Sequence, residues 1–308
     1  MTLEDVLRVL RDGINRNDGE RLRNFLNQHA ALNWVIASDY VIGDKERHRD
    51  AFCYTIYPVN DELASTQAEI AGKIPNDLKH TSRINAPIID CLRSTRRFSF
   101  CFVVRKGQRF FDNLADVQAS LAATIEMVKA RENWGKQTAV LKELRQKASA
   151  KNFDFKLFSD ITLASLFAAI IAMFVTEFSD AKIVSWFSDR GSIVTSYNRV
   201  AFDLFGMHFY QACYEFGVRY DSVTLGVGDM KVGPWYDELI RVPDFLAGAV
   251  SAFNPDTRDV HTQKHLDLLT KIFSDAPHIA IIETEVKPHA FGCRSVLISQ
   301  KSVAPQDD

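Results

Sequence analysis

Several signatures are missing from this chain, and each absence narrows the field. There is no Cys-x-x-Cys pair, no Gly-Lys-Ser/Thr closing a glycine-rich turn, no Gly-x-Ser-x-Gly and no His-Glu-x-x-His. The five cysteines (Cys53, Cys91, Cys101, Cys213 and Cys293) are scattered and odd in number, which argues against a zinc knuckle or a disulfide framework and fits a reducing cytoplasm. "GVGDMKVGPW" (Gly226–Trp235) is glycine-rich but lacks the phosphate-binding lysine pair of a P-loop, so it reads as a loop beside a site, with Asp229, Lys231 and Asp237 available to line it. The missing nucleophile elbow weakens a serine-hydrolase reading. His261 and His265 have the i, i+4 spacing of helical metal ligands, but no Glu follows His261. The longest uncharged run, Ile161–Val175, falls short of the roughly 20 residues of a membrane span and reads as a helix buried against a sheet. The N-terminal "MTLEDVLRVLRDG" is an amphipathic charged helix rather than a leader, so the expected location is cytoplasmic, with no membrane partner.

What is present is ordinary globular material: 308 residues, 46% hydrophobic, 25% charged, net charge −2. Two short helices open the chain, Leu3–Asn15 and Gly19–Gln28. "NWVIASDYVI" (Asn33–Ile42) and "AFCYTIYPV" (Ala51–Val59) read as a strand hairpin around the polar turn "GDKERHRD". Helical pattern follows over Asp61–Leu78 and Ala86–Arg93, and "RRFSFCFVV" (Arg96–Val104) alternates as a third strand. A long helical section, Asn113–Lys147 with a break near Asn133–Gly135, leads into the apolar helix, Leu157–Phe178. "AKIVSWFSD" (Ala181–Asp189) and "SVTLGVG" (Ser222–Gly228) are strands four and five, separated by a helix over Tyr197–Phe216. A helix near Asp259–Ser274 and a terminal hairpin complete the chain. With no internal repeat and no linker, the order predicts a single α/β domain over 1–308, an α+β mixed sheet covered by helices. Residues 1–30 read as a helical extension, 60–95 and 112–156 as helical insertions, and 302–308 as a disordered tail. The apolar helix can face a core or a twin subunit, which leaves a homo-oligomer or a partner protein open.

Charge is uneven. Arg93–Lys156 holds fourteen Lys and Arg against six Asp and Glu, a local net of +8 that leaves −10 for the rest. This section offers either a phosphate-contacting surface or a solvated helix face. The aromatics within it, Phe98, Phe100 and Phe102, read as the core face of a strand rather than a base-stacking platform.

Three acids stand out by position. Asp39 interrupts an apolar strand, Asp189 closes the fourth strand beside Gly191, and Asp244 sits in the apolar stretch "IRVPDFLAGAVSAF" (Ile240–Phe253). Pro243 suits a first helical position, and Phe245, Leu246, Ala249, Val250 and Phe253 fall at helical spacing, so a helix is expected to open at Asp244. There the acid would complement the helix dipole. A carboxylate in a buried strand is costly unless paired, hydrogen-bonded or metal-bound, whereas one at a turn needs only its own backbone.

The stretches "ASDYVIGDKERHRDAFCYTIY", "IVSWFSDRGSI" and "VPDFLAGAVSAF", in that order, resemble the RNase H-like superfamily, and within it a bacterial branch with Asp, Asp-Arg and Ala-Asp-like motifs. The resemblance implies a five-stranded sheet with the first and fourth strands side by side at its centre, each presenting an acid, and a helix after the fifth strand bringing a third. It implies a nuclease in which Asp39, Asp189 and Asp244 are catalytic and hold two Mg²⁺ or Mn²⁺ ions, Asp39 bridging and the others flanking. Arg190 and Arg241, next to the proposed ligands, would steady a phosphate, nucleic acid would be the partner, and the setting would be a mobile element or phage defence. That branch usually opens with Asp-Glu-Ser-Gly, where this chain has Asp39-Tyr40-Val41-Ile42. The superfamily's fourth acid has Glu126 and Glu177 as matches, and Asp44 and Asp229 are further choices. The departure favours an alternative, a non-catalytic RNase H-like scaffold that binds nucleic acid or a partner protein.

Overall fold

The computed structural model describes residues 1–81, 83–129, 134–150, 152–228, 234–254, 257, 259–260, 262–288 and 290–298. Seven strands form one mixed sheet: β1 (Asn33–Val41), β2 (Arg49–Pro58), β3 (Phe98–Arg105), β4 (Ile183–Ser188), β5 (Thr224–Val227), β6 (Ile279–Lys287) and β7 (Ala290–Val296). Their spatial order is β5-β4-β1-β2-β3-β6-β7. β2 runs antiparallel to β1 and β3, β1, β4 and β5 are mutually parallel, β6 is parallel to β3, and β7 turns back along β6. The sheet therefore exceeds the expected five strands. The terminal hairpin was legible as a hairpin, but it extends the sheet because Ile279 and Ile281 continue one face beside β3 and Ala280 and Ile282 the other.

Period-two alternation sorts the central strands onto two cores. Trp34, Ile36, Phe52, Tyr54, Phe98, Phe100 and Phe102 face one side. They meet α1 (Leu3–Asn17), α2 (Gly19–His29), α5 (Leu114–Lys129), α6 (Gly135–Lys147), α7 (Phe155–Phe178) and α9 (Val200–Phe216). The phenylalanines of β3 are thus core, as read from sequence; Phe102 stacks on Phe167 of α7 at 4.1 Å between centroids. Val35, Ala37, Ala51, Cys53, Tyr57 and Cys101 face the other side, against α3 (Leu63–Lys73), α4 (Ala86–Leu92), α10 (Asp237–Ser251) and α11 (Gln263–Leu268). α8 (Ser192–Thr195) is a single turn after β4.

α7 is apolar all round because it is enclosed all round. At 24 residues it exceeds the uncharged run and is the one helix among the described residues long and apolar enough to cross a membrane, yet its side chains are buried within the protein. Two other stretches that read as helical are cut short. Pro75 pushes Ile74 into extended backbone and ends α3, leaving only a 3₁₀ turn at Leu78–His80. α11 passes into a π-turn at Leu269–Phe273.

The helix carrying Asp244 differs most from expectation. It opens seven residues earlier, at Asp237, so Pro243 lies inside it and Asp244 does not sit in the first turn. Asp237 and Glu238 occupy the dipole-favoured positions instead. An interior proline orphans the carbonyl four residues back, here that of Leu239. The Tyr57 hydroxyl donates to that carbonyl at 3.0 Å, which is the local reason the helix continues through Pro243. Tyr57→Phe leaves a buried carbonyl unpaired and is expected to cost about 1–3 kcal/mol, read as a lower urea midpoint. An unchanged midpoint would show that the carbonyl has another partner.

Candidate active site

The sheet register brings the first two acids together. The last β1–β4 pair is Ser38 with Ser188, and the Asp189 amide donates to the Ser38 carbonyl at 3.1 Å. One step further puts Asp39 beside Asp189. Both continue the odd-numbered positions that face α10: Val35 and Ala37 on β1, Phe187 on β4. On the opposite face, Ser38, Tyr40, Ser188 and Trp186 are tied by hydrogen bonds, with Tyr40 Oη 2.7 Å from Ser38 Oγ and Trp186 Nε1 donating to Ser38 Oγ at 2.8 Å. This network fixes the end of the strand pair from which the acids project.

Asp244 reaches the same place from above. α10 lies on β1 and β2, where Ala37, Ala51 and Cys53 offer a small-residue surface. The 3₁₀ turn seats on α10 at Gly248, where a Cβ would stand 2.2 Å from Leu78 Cδ2. That contact delivers the Leu78 amide to Asp244 Oδ2 at 3.0 Å, and Lys264 holds the turn from behind by donating to the Leu78 carbonyl at 3.0 Å. Gly248→Val must displace the Leu78 side chain and so disturb the seat of the turn whose amide meets Asp244. The expected cost is about 1–3 kcal/mol by denaturant unfolding, and an unperturbed midpoint would refute the seating role.

Asp39, Asp189 and Asp244 all line one cleft of about 530 Å³. Asp77, Asp237 and Glu238 line it too, as do Lys79, Arg190 and Arg241. Among the described residues, six acids against three bases make it an attractive place for a cation and a repulsive one for a free phosphate. Burial, then the charges of Asp244 and Asp189, push the Asp39 carboxyl well above its ordinary range, although Oδ1 accepts the Tyr40 amide at 2.7 Å. Asp244 is pushed up to about 6, mainly by burial, against the opposing Leu78 hydrogen bond. Asp39 and Asp244 each feel the other, and together they hold a proton more tightly than a free carboxyl would. Two half-buried carboxyls in this state are relieved either by that proton or by a cation.

The donor chemistry fits a hard divalent ion: every candidate ligand is a carboxylate oxygen, and one oxygen each of Asp39 and Asp244 is free of backbone bonds. The side chains are not preset around one, since among the described residues no group of three His, Cys, Asp or Glu stands close enough to hold a metal. Arg190 lies in the cleft but pairs with Asp237 at 3.3 Å. Arg241 also lines it, with Nη1 donating to the Ile74 carbonyl at 3.0 Å.

Of the fourth-ligand choices, none that is described lines the cleft. Glu126 is exposed on α5 and pairs with Lys129, Glu177 pairs with Arg11 at 2.6 Å, and Asp44 caps its own turn at the Glu46 amide. Asp229, Lys231 and His261 lie outside the described residues, as does the 302–308 tail. His265 is buried and bonded to Thr262 and Arg47. The acids missed as candidate ligands are Asp77 and Glu238; Asp237 was visible only as a loop residue. Their signal is positional, Asp77 heading the 3₁₀ turn and Glu238 the true start of α10, and neither start is marked by the hydrophobic period. The basic helices α5 and α6 pack into the α7 core, on the face of the sheet opposite the cleft.

No protein-family model, no curated protein and no solved structure matches this chain.

Proposed function

We propose that the chain is a Mg²⁺- or Mn²⁺-dependent phosphodiester hydrolase acting on nucleic acid, on an RNase H-like plan. The observation that carries this reading is the arrival of Asp39, Asp189 and Asp244, from three separate elements, in one cleft. The neighbouring first and fourth strands and the helix after the fifth are features the resemblance implies, and they support the plan. When bound, a pair of divalent ions would supply an activated water and stabilise the departing oxygen. Asp39 and Asp189, side by side across β1 and β4, and Asp244 facing them would hold those ions. The cleft's acid excess repels a phosphodiester until cations are present, which makes the reaction metal-dependent. Arg190, Arg241 and Lys79 line the same cleft and are the groups that would meet phosphate oxygens, Arg190 exchanging Asp237 for the substrate.

A second reading, the non-catalytic scaffold, is favoured by one observation: the Asp39 and Asp244 carboxylates are tied to the Tyr40 and Leu78 amides rather than set around an ion. Calorimetry with Mn²⁺ tests the first reading. Wild type is expected to bind, and Asp39→Ala and Asp189→Ala to bind more weakly; equal affinity in all three would sink it. Nucleic-acid retention without cleavage in Mn²⁺ is the result the scaffold predicts.

A further inference from the structure

A second cavity lies at the other end of the sheet from the acidic cleft, between the α4–β3 connection and the 276–279 turn that leads into β6. Its volume is about 170 Å³, and no Asp or Glu among the described residues lines it. It is walled in part by Arg97, whose residue is only 2% exposed. A guanidinium cannot shed its charge in a protein, so burial leaves it in need of an acceptor. Arg97 has little. Nη2 is 3.5 Å from Cys91 Sγ, while Nε and Nη1 have no hydrogen-bond partner among the described residues. No carboxylate there lies within 4.0 Å of it; Glu69, which feels its field, is bonded to Lys73 at 2.9 Å.

A second buried nitrogen without a partner, His278 Nδ1, belongs to the same wall. Burial and the neighbouring Arg21 and His29 hold that imidazole below its ordinary pKa, so it meets the cavity as a neutral ring. The walls are built rather than loose. Arg21 donates to the Ala276 carbonyl at 2.6 Å and the Ile279 carbonyl at 2.8 Å, and Arg93 to the Lys271 carbonyl at 2.9 Å.

We infer that Arg97 anchors a binding site for a small oxyanion, a phosphate or carboxylate group, separate from the acidic cleft. Both groups accept charge-assisted N–H bonds from a guanidinium, and Nε and Nη1 of Arg97 each carry an N–H without an acceptor. The cavity is smaller than the roughly 300–1,000 Å³ of a typical small-molecule pocket, which limits the buried part of the ligand to the anionic group itself.

The test is thermal unfolding of dialysed, full-length protein titrated with inorganic phosphate, with acetate, and with chloride at matched ionic strength. A saturable rise in Tm of a few degrees is expected with phosphate or acetate and none with chloride. A response to phosphate alone assigns a phosphoryl group, and to acetate alone a carboxylate. Arg97→Met is expected to abolish the response. If that variant does not fold, Ser94→Phe decides, because it plugs the cavity and leaves Arg97 in place. No saturable response in wild type, or a response that survives in Ser94→Phe, overturns the inference.

Discussion

Asp39→Ala and Asp189→Ala are each expected to lower Mn²⁺-dependent cleavage of labelled DNA or RNA by about 10²- to 10³-fold, the cost typical of removing one preorganised electrostatic group from an active site. The two should behave alike, because register makes them neighbours on one face of β1 and β4. They should also be far from additive: once either is gone, the remaining carboxylates no longer form a set, and the double variant loses little more. Arg241→Ala should act differently. Its side chain is held to the carbonyl of Ile74 in the free protein, so its loss is expected to raise KM more than it lowers kcat. Unimpaired cleavage by Asp39→Ala would place any observed activity elsewhere in the molecule. Wild type without cleavage on single- or double-stranded DNA and RNA, but with retained binding, transfers the protein to the scaffold reading.

Asp244→Asn is expected to stabilise the protein at pH 8 in chelator by about 3 kcal/mol. The amide side chain keeps an oxygen for the Leu78 amide, so that bond survives. What disappears is a carboxylate whose folded pKa is raised from 3.8 to about 6. A raised folded pKa means that the folded state binds the proton more tightly than the unfolded state. Its stabilisation is complete below about pH 4 and lost as pH rises through about 6. The advantage of the variant therefore grows from near zero at pH 4 to its full value at pH 8. Asp160, raised to about 7 by burial, and His208, lowered to about 4 by burial, also tilt the stability of the protein with pH, in opposite directions. They are common to both proteins and cancel in the difference. Urea unfolding at pH 4, 6 and 8 reads the effect. A variant less stable than wild type at pH 8 would mean that the carboxylate is already compensated. Adding Mn²⁺ should narrow the gap, since a bound cation relieves wild type and not the variant.

Both expectations arise from an arrangement that sequence revealed only in part. Strand identity was legible because β1, β2 and β3 are buried on both faces and so carry dense β-branched and aromatic residues. Asp39 stood out for the same reason, as a charge where burial was expected, and Asp189 because a strand stops there. The start of α10 was misread because Pro243 is normally a helix opener; a tyrosine nearly two hundred residues earlier in the chain overrides that rule. The supporting acids Asp77 and Glu238 sit in polar surroundings, where an acid carries no signal until a turn or a helix start is brought to a cleft.

What the sequence determined by itself was local: which segments alternate as strands, which are apolar enough for burial, and that three acids lie at odds with their neighbours. Periodicity and propensity act over a few residues, so they reach that far. Only the tertiary structure decided that β4 lies beside β1 in a register that aligns two of those acids, that α10 passes through its proline to lower the third onto them, and that the terminal hairpin widens the sheet. Those outcomes depend on contacts between residues far apart in the chain, Tyr57 with Leu239, Leu78 with Asp244, Ser38 with Asp189. Such contacts are selected by the free energy of packing the whole, and no short window of sequence contains them.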